Sequence, residues 1–218
     1  MKQIRIALLD SDSDTRSGRK LLLGSIADFE IVFESNGSVA DLNEVENALI
    51  DVLVVDQRLS SGAGVDFFQK LRQEVGSDQT PNALLTCSFE QPTLRLAAIE
   101  AGICQVVALE EGPEKLVQSI RETAKQQSNT TLFELFNLIS SQNPPQRTDL
   151  NFVRMFDELP DKSASSFEKL RVLWQGADRV KLEQFKMSNL ESLAENLPVK
   201  TIPELIVRIQ RSGLFDGE

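Results

Sequence analysis

Five short apolar runs alternate with five amphipathic stretches over the first 125 residues, and this alternation limits the fold more than any other feature. Ile4–Leu9, Phe29–Phe33, Val52–Val55, Ala83–Leu85 and Gln105–Leu109 read as strands. The third, VLVV, is continuously apolar and mostly β-branched, as a strand covered on both faces must be. Thr15–Ile26, with Leu21, Leu22 and Ile26 on one side, reads as a helix. So do Ser38–Leu49 behind a Ser cap, Val65–Arg72, Pro92–Ala101 and Pro113–Lys125. The last two open on Pro, which suits a first helical turn. Strict alternation of this kind predicts an α/β fold with a five-stranded, parallel, doubly wound sheet.

Such sheets bind ligands outside the carboxyl ends of their strands. The first strand runs into Asp10-Ser11-Asp12-Ser13-Asp14, the third into Asp56 and the fourth into Thr86. Carboxylates brought together there repel unless a hard cation such as Mg²⁺ lies between them. Asp10 and Asp56 are therefore the candidate metal ligands, and Thr86 is a hydroxyl able to orient a phosphoryl group. Asp14 is expected to cap the first helix and Asp12 to sit in a solvated loop. The DxDxD spacing also suggests a calcium loop, but Gly at position six and Glu at position twelve are missing.

The segments IALLDSD, DVLVVDQRLSSGAGVDFFQKLR, ALLTCS and AGICQVVALEEGPEKLVQSI resemble the receiver domains of bacterial response regulators, which are flavodoxin-like. The resemblance spans about residues 3–125. It puts Asp56 at the phosphoacceptor position, Asp10 at the first acid of the metal pair and Thr86 at the hydroxyl after strand four. Gly64 matches the glycine opening helix three. Arg16, Ser17 and Gly18 resemble the start of helix one. The departures are specific. Ser11 replaces the second acid of the pair, and Ser60 replaces a proline. Leu109 stands where receivers carry the Lys that pairs with the phosphoryl group, and no Lys occurs between Lys70 and Lys115. Losing such a charge-assisted contact costs about 1.5–3 kcal/mol. A pseudo-receiver is expected, switched by partner binding more than by phosphorylation.

Charge and composition narrow the partners. The net charge is −10, and residues 1–125 hold 12 Lys and Arg against 20 Asp and Glu, leaving 11 against 13 in residues 126–218. Neither half has the basic surplus of a nucleic-acid binder. The chain has no His, which removes His-based nucleophile systems, His-ligated metals and a phospho-His role. Cys87 and Cys104 lie in apolar stretches and read as small buried thiols. No apolar run is long enough for a membrane helix, and the N-terminus turns acidic too soon for a signal peptide. A cytoplasmic protein without membrane contact is expected.

Past residue 125 the pattern changes. Residues 126–150 read as a linker with one short amphipathic helix, Leu132–Ile139, before a break at Asn143-Pro144-Pro145. Residues 151–218 read as a smaller all-α domain. Helical patterns cover Asn151–Leu159, Phe167–Trp174 behind Ser165-Ser166, and Asp178–Phe185. The stretch NLESLAENLPVKTIPELIVRIQRSGLF, with Ser188 as its cap and Glu191 in a capping box, resembles the helix-turn-helix of winged-helix transcription regulators. It makes Lys200 and Thr201 the start of a recognition helix, with Arg208 and Arg211 as the candidate DNA-binding cations late in it. Pro203 and Glu204 would face the groove, where Glu repels phosphate. Residues 183–218 hold four Lys and Arg against six Asp and Glu, and no wing hairpin is expected after Gly213-Leu214.

Two functions follow. The first is a signalling module that binds a protein partner, such as a histidine kinase, through a degenerate receiver. The second is a response-regulator transcription factor reading DNA through its helix-turn-helix, which the charge disfavours. The resemblance also implies a partner face at Leu94, Arg95, Glu110, Glu111 and Lys115, suited to homodimerisation. An enzyme is not expected: residues 126–218 lack a nucleophile–base pair, a phosphate-cradling glycine loop and a metal cluster.

Overall fold

A computed structural model describes residues 3–76, 79–125, 131–142, 150–177, 179–185, 190–195 and 197–215. The chain divides into two units, Met1–Ser128 and Asn129–Glu218.

The first unit holds β1 (Ile4–Leu9), α1 (Ser13–Gly24), β2 (Phe29–Ser35), α2 (Asp41–Asn47) and β3 (Val52–Asp56). A two-stranded antiparallel ribbon follows, β4 (Arg58–Leu59) and β5 (Gly62–Ala63), then α3 (Gly64–Val75). β6 (Asn82–Cys87), α4 (Pro92–Ala101), β7 (Gln105–Ala108) and α5 (Pro113–Thr123) complete it. The five long strands form a parallel sheet in the order β2-β1-β3-β6-β7. Period-two alternation sends neighbouring residues to opposite faces. Ile6, Leu8, Val52, Val54 and Leu84 pack with Leu23, Leu116 and Ile120 of α1 and α5. Ala7, Leu9, Leu53, Val55, Ala83 and Leu85 pack with Phe67, Phe68, Leu71 and Ala98 of α3 and α4. The expected doubly wound sheet is present.

The differences are local and physical. Asp12, not Asp14, caps α1: its Oδ1 accepts from the Thr15 amide at 2.7 Å, so the helix begins at Ser13. Ser38 does not cap α2; its amide donates to the Asp41 carboxylate, and the helix opens later and is shorter than the pattern suggested. Leu109 does not end a strand but opens a 3₁₀ turn, Leu109–Glu111, where Glu111 accepts from the Ala108 amide at 2.9 Å. On α1, Leu21 is 78% exposed, and the buried positions are Arg19 and Leu23.

In the second unit the described residues form helices and no strands: α6 (Leu132–Gln142), α7 (Leu150–Asp157), α8 (Asp161–Gln175), α9 (Arg179–Gln184), α10 (Glu191–Ala194) and α11 (Ile202–Arg211). α6, read from sequence as part of a linker, packs against α9 and α11. Ser165 and Ser166 lie inside α8 rather than capping it, because the Pro160 carbonyl already accepts from the amides of Ser163 and Ala164 at 2.8 and 3.0 Å. The expected cap Ser188 lies outside the described residues. The core is aromatic. Trp174 stacks on Phe215 at 4.7 Å and meets the edge of Phe136 at 5.2 Å, while its Nε1 donates to Gln210 at 2.7 Å.

α11 is capped by Thr201, whose Oγ1 accepts from the Glu204 amide at 3.2 Å. Glu204 reaches back and accepts from the Lys200 amide at 2.7 Å. Such reciprocal bonds satisfy amides that a helix start leaves open. Glu204 is 1% exposed and Pro203 is buried with it, so neither faces outward as the groove reading required. Both lie in the run Pro203–Val207, which is buried throughout. No residue of α11 is fully exposed.

Candidate functional site

The strand order turns at β1: β2 lies on one side of it and β3 on the other. The rim above this switch point is where a parallel sheet opens a crevice. The backbone delivers Asp10 directly after β1 and Asp56 at the end of β3. Thr86 on β6 is in register with Asp56. The three residues expected from sequence therefore meet at one place.

Glycine fixes the far wall. A Cβ on Gly64 would lie 2.1 Å from the Asp56 carbonyl oxygen, so only glycine lets α3 start this close to β3. The Gly64 amide donates to the Gln57 carbonyl at 2.9 Å, and the Gln57 amide to the Thr86 carbonyl at 2.7 Å. Asp56 is thus held from both sides.

Sequence reasoning missed a fourth member. Arg19 extends from the inner face of α1 into the crevice and is only 6% exposed. Its Nη1 donates to Asp10 Oδ2 at 2.6 Å, and its Nη2 to Asp56 Oδ2 at 3.2 Å. One guanidinium thereby bridges the two carboxylates, a planar fork suited to such a task. The remaining acceptor positions are also used. Asp10 Oδ1 accepts from the Asp12 amide at 2.9 Å. Asp56 Oδ2 accepts from the Thr86 hydroxyl at 3.0 Å, and its Oδ1 from the Arg58 amide at 3.0 Å. Arg19 Nε is buried with no hydrogen-bond partner. The signal was present in the sequence: Arg19, Leu22, Leu23 and Ile26 share helical spacing, and a charge on an inward stripe requires a buried counter-charge.

The electrostatics follow from this packing. Burial pushes the Asp10 carboxyl above its ordinary value; the Asp12 amide and Arg19 pull it back, and Asp56 adds to the rise. Asp12 is held below its ordinary value, chiefly by the Thr15 amide it caps. Cys87, under the same rim, is buried, and its thiol is pushed up to about 11 by desolvation and by Glu90 and Asp56. That is an inert thiol.

The Mg²⁺ expected at Asp10 and Asp56 does not fit these residues. The guanidinium already bridges the facing oxygens of both carboxylates. Ser11, in the place of the second acid, donates to the Arg58 carbonyl at 3.0 Å. Among the described residues no three Cys, Asp or Glu side chains form a metal-binding group. Leu109 places no charge at the rim; it is 47% exposed.

The DNA-binding candidates lie in the other unit. Thr201 is buried as a cap, and the Lys200 amide serves Glu204. Arg208 sits 4.5 Å over the Phe152 ring and donates to the Pro198 carbonyl at 2.8 Å. Arg211 is half-buried at the helix end.

The switch-point rim carries an aspartate at the end of β3, and comparison with known proteins supplies the family. The chain belongs to the response-regulator receiver family: the model of the response regulator receiver domain matches residues 6–121, more than half of the sequence. The fold is similar to that of the receiver domain of the putative response regulator NarL from Mycobacterium tuberculosis. That match has 20% identity and a TM-score of 0.52, covering 57% of this chain and 98% of that one. A two-component response regulator of the LuxR family from Aurantimonas sp. SI85-9A1 is 21% identical, with a TM-score of 0.55 over 66% of this chain and 100% of that one. RcsB from Salmonella typhimurium, solved in a study of DNA interaction, is 16% identical, with a TM-score of 0.54 over 98% of this chain and 93% of that one. These likenesses carry the fold. No curated protein matches the sequence. Among the described residues no helix is long and apolar enough to cross a membrane.

Proposed function

We propose that this chain is an atypical response regulator of a two-component pathway that signals mainly by binding protein, with phosphorylation of Asp56 weak or absent. The observation carrying this reading is the exposed Leu109 just after β7, where receiver chemistry needs a cation facing the phosphoryl group. The partner would be a signalling protein such as a histidine kinase. The face around Leu94, Arg95, Glu110, Glu111 and Lys115 is its docking surface, and the same face would serve a homodimer. The protein would act in the cytoplasm and would not be an enzyme. Incubation with acetyl phosphate and Mg²⁺, followed by intact-mass measurement, tests the reading. Little or no added phosphoryl mass is expected; stoichiometric, stable modification of Asp56 refutes it.

A second reading, a transcription factor, draws support from the likeness to RcsB over both units. Against it stands α11, which has no fully exposed residue to lay in a groove. Saturable, salt-dependent binding of genomic fragments at physiological salt would establish it, with loss on Arg208→Ala and Arg211→Ala.

A further inference from the structure

We propose that Arg19 is the resident cation of the receiver pocket: its guanidinium takes the place of a divalent ion and holds Asp10 and Asp56 together without metal. The inference rests on reading residues 6–121 as a receiver, and it deepens the proposed function by naming what sets the state of the pocket.

Three observations converge. Arg19 and Leu23 are the buried residues of α1, so the guanidinium is positioned by a helix packed on the sheet rather than by a surface side chain. The guanidinium contacts Asp10 Oδ2 and Asp56 Oδ2 at 2.6 and 3.2 Å and so occupies the space between the two carboxylates. Ser11 supplies no carboxylate, so the guanidinium meets two acids at contact distance. A divalent ion placed there would meet a fixed positive charge at contact distance. Asp56 is affected as well. Oδ2 accepts from Arg19 and Thr86 and Oδ1 from the Arg58 amide, so neither oxygen is left without a donor. The Arg19 Nε, buried without a partner, shows which demand decided the placement: the side chain is aimed to serve the carboxylates at the expense of its own third nitrogen.

The test is divalent-ion binding by the full-length chain, read from the loss of free Mn²⁺ electron paramagnetic resonance signal with no phosphodonor present. Wild type is expected to leave the Mn²⁺ signal unchanged. Arg19→Met removes the unit charge that contacts the carboxylates at 2.6 and 3.2 Å and should tighten Mn²⁺ binding by about tenfold or more. Arg19→Lys keeps a charge and should keep the ion out. Equal Mn²⁺ binding by wild type and Arg19→Met overturns the proposal. If Arg19→Met does not fold in plain buffer, refolding with Mg²⁺ or with K⁺ at matched ionic strength decides: recovery with Mg²⁺ alone supports the proposal, and failure with both overturns it. The outcome is separable from the phosphorylation test. Wild type that excludes Mn²⁺ yet takes phosphoryl on Asp56 sustains this inference and sinks the proposed function; wild type that binds Mn²⁺ yet stays unmodified does the reverse.

Discussion

Arg19 on α1 and Glu204 on α11, one in each unit, are both charges buried on a helix, and the two are satisfied in different ways. Arg19 on α1 is answered by two side-chain carboxylates from separate strands. Glu204 on α11 is answered chiefly by the backbone beside it, with Arg208 3.9 Å away on the next turn. A charge met by distant side chains ties together elements far apart in sequence; a charge met by local amides closes one helix end. The first kind builds a site, and the second shapes an element.

The largest effect should come from breaking the first kind. Arg19→Met strands the buried Asp10 and the half-buried Asp56 carboxylates and should cost about 3–5 kcal/mol in urea unfolding without divalent ions. Next is Gly64→Ala, whose Cβ meets the Asp56 carbonyl at 2.1 Å. It should cost about 1–3 kcal/mol and displace Asp56, read from chemical shifts at Asp56 and Thr86. Thr201→Ala removes one cap acceptor and should cost about 1 kcal/mol, confined to the C-terminal unit. A loss as large as that of Arg19→Met would erase the distinction between the two buried charges.

The smallest effect is in pH dependence. Asp10 is held above its ordinary 3.8, so the native state binds its proton more tightly than the unfolded chain does. Asp10 therefore favours the fold fully below that ordinary value, and this favour fades as pH rises through the native value. Arg19 opposes the rise, so Arg19→Met should push the native value higher still. Carboxyl carbon shifts of Asp10 across an acid titration measure it; an unchanged midpoint would show that Arg19 has no electrostatic hold on the pocket.

Much of this was legible from sequence where the period of the pattern is short. Strand alternation located Asp10, Asp56 and Thr86, because a strand end has few ways to point. The helices were harder. A stripe drawn through Leu21, Leu22 and Ile26 hides Arg19; shifted to Leu22, Leu23 and Ile26, it passes through it. Leu21 is the exposed one because hydrophobicity alone does not orient a helix whose inward stripe includes a charge. Glu204 reads as outward for the same reason: an acid is taken as solvated until a backbone amide within reach explains its burial. Asp12 and Asp14 both lie at the start of α1, and only the geometry of the Thr15 amide singles out Asp12 as the cap.

The aromatic core has an optical consequence. The chain has one Trp and no Tyr, and that Trp is Trp174, stacked on Phe215 in the C-terminal unit. Fluorescence excited at the red edge of the absorption band therefore reports residues 129–218 alone, while far-ultraviolet dichroism sums both units. A destabilised receiver half would separate the two melting curves, and a destabilised helical half would move the emission curve directly. The wild-type sequence thus contains its own reporter, needing no added dye to tell which half of the molecule has come apart.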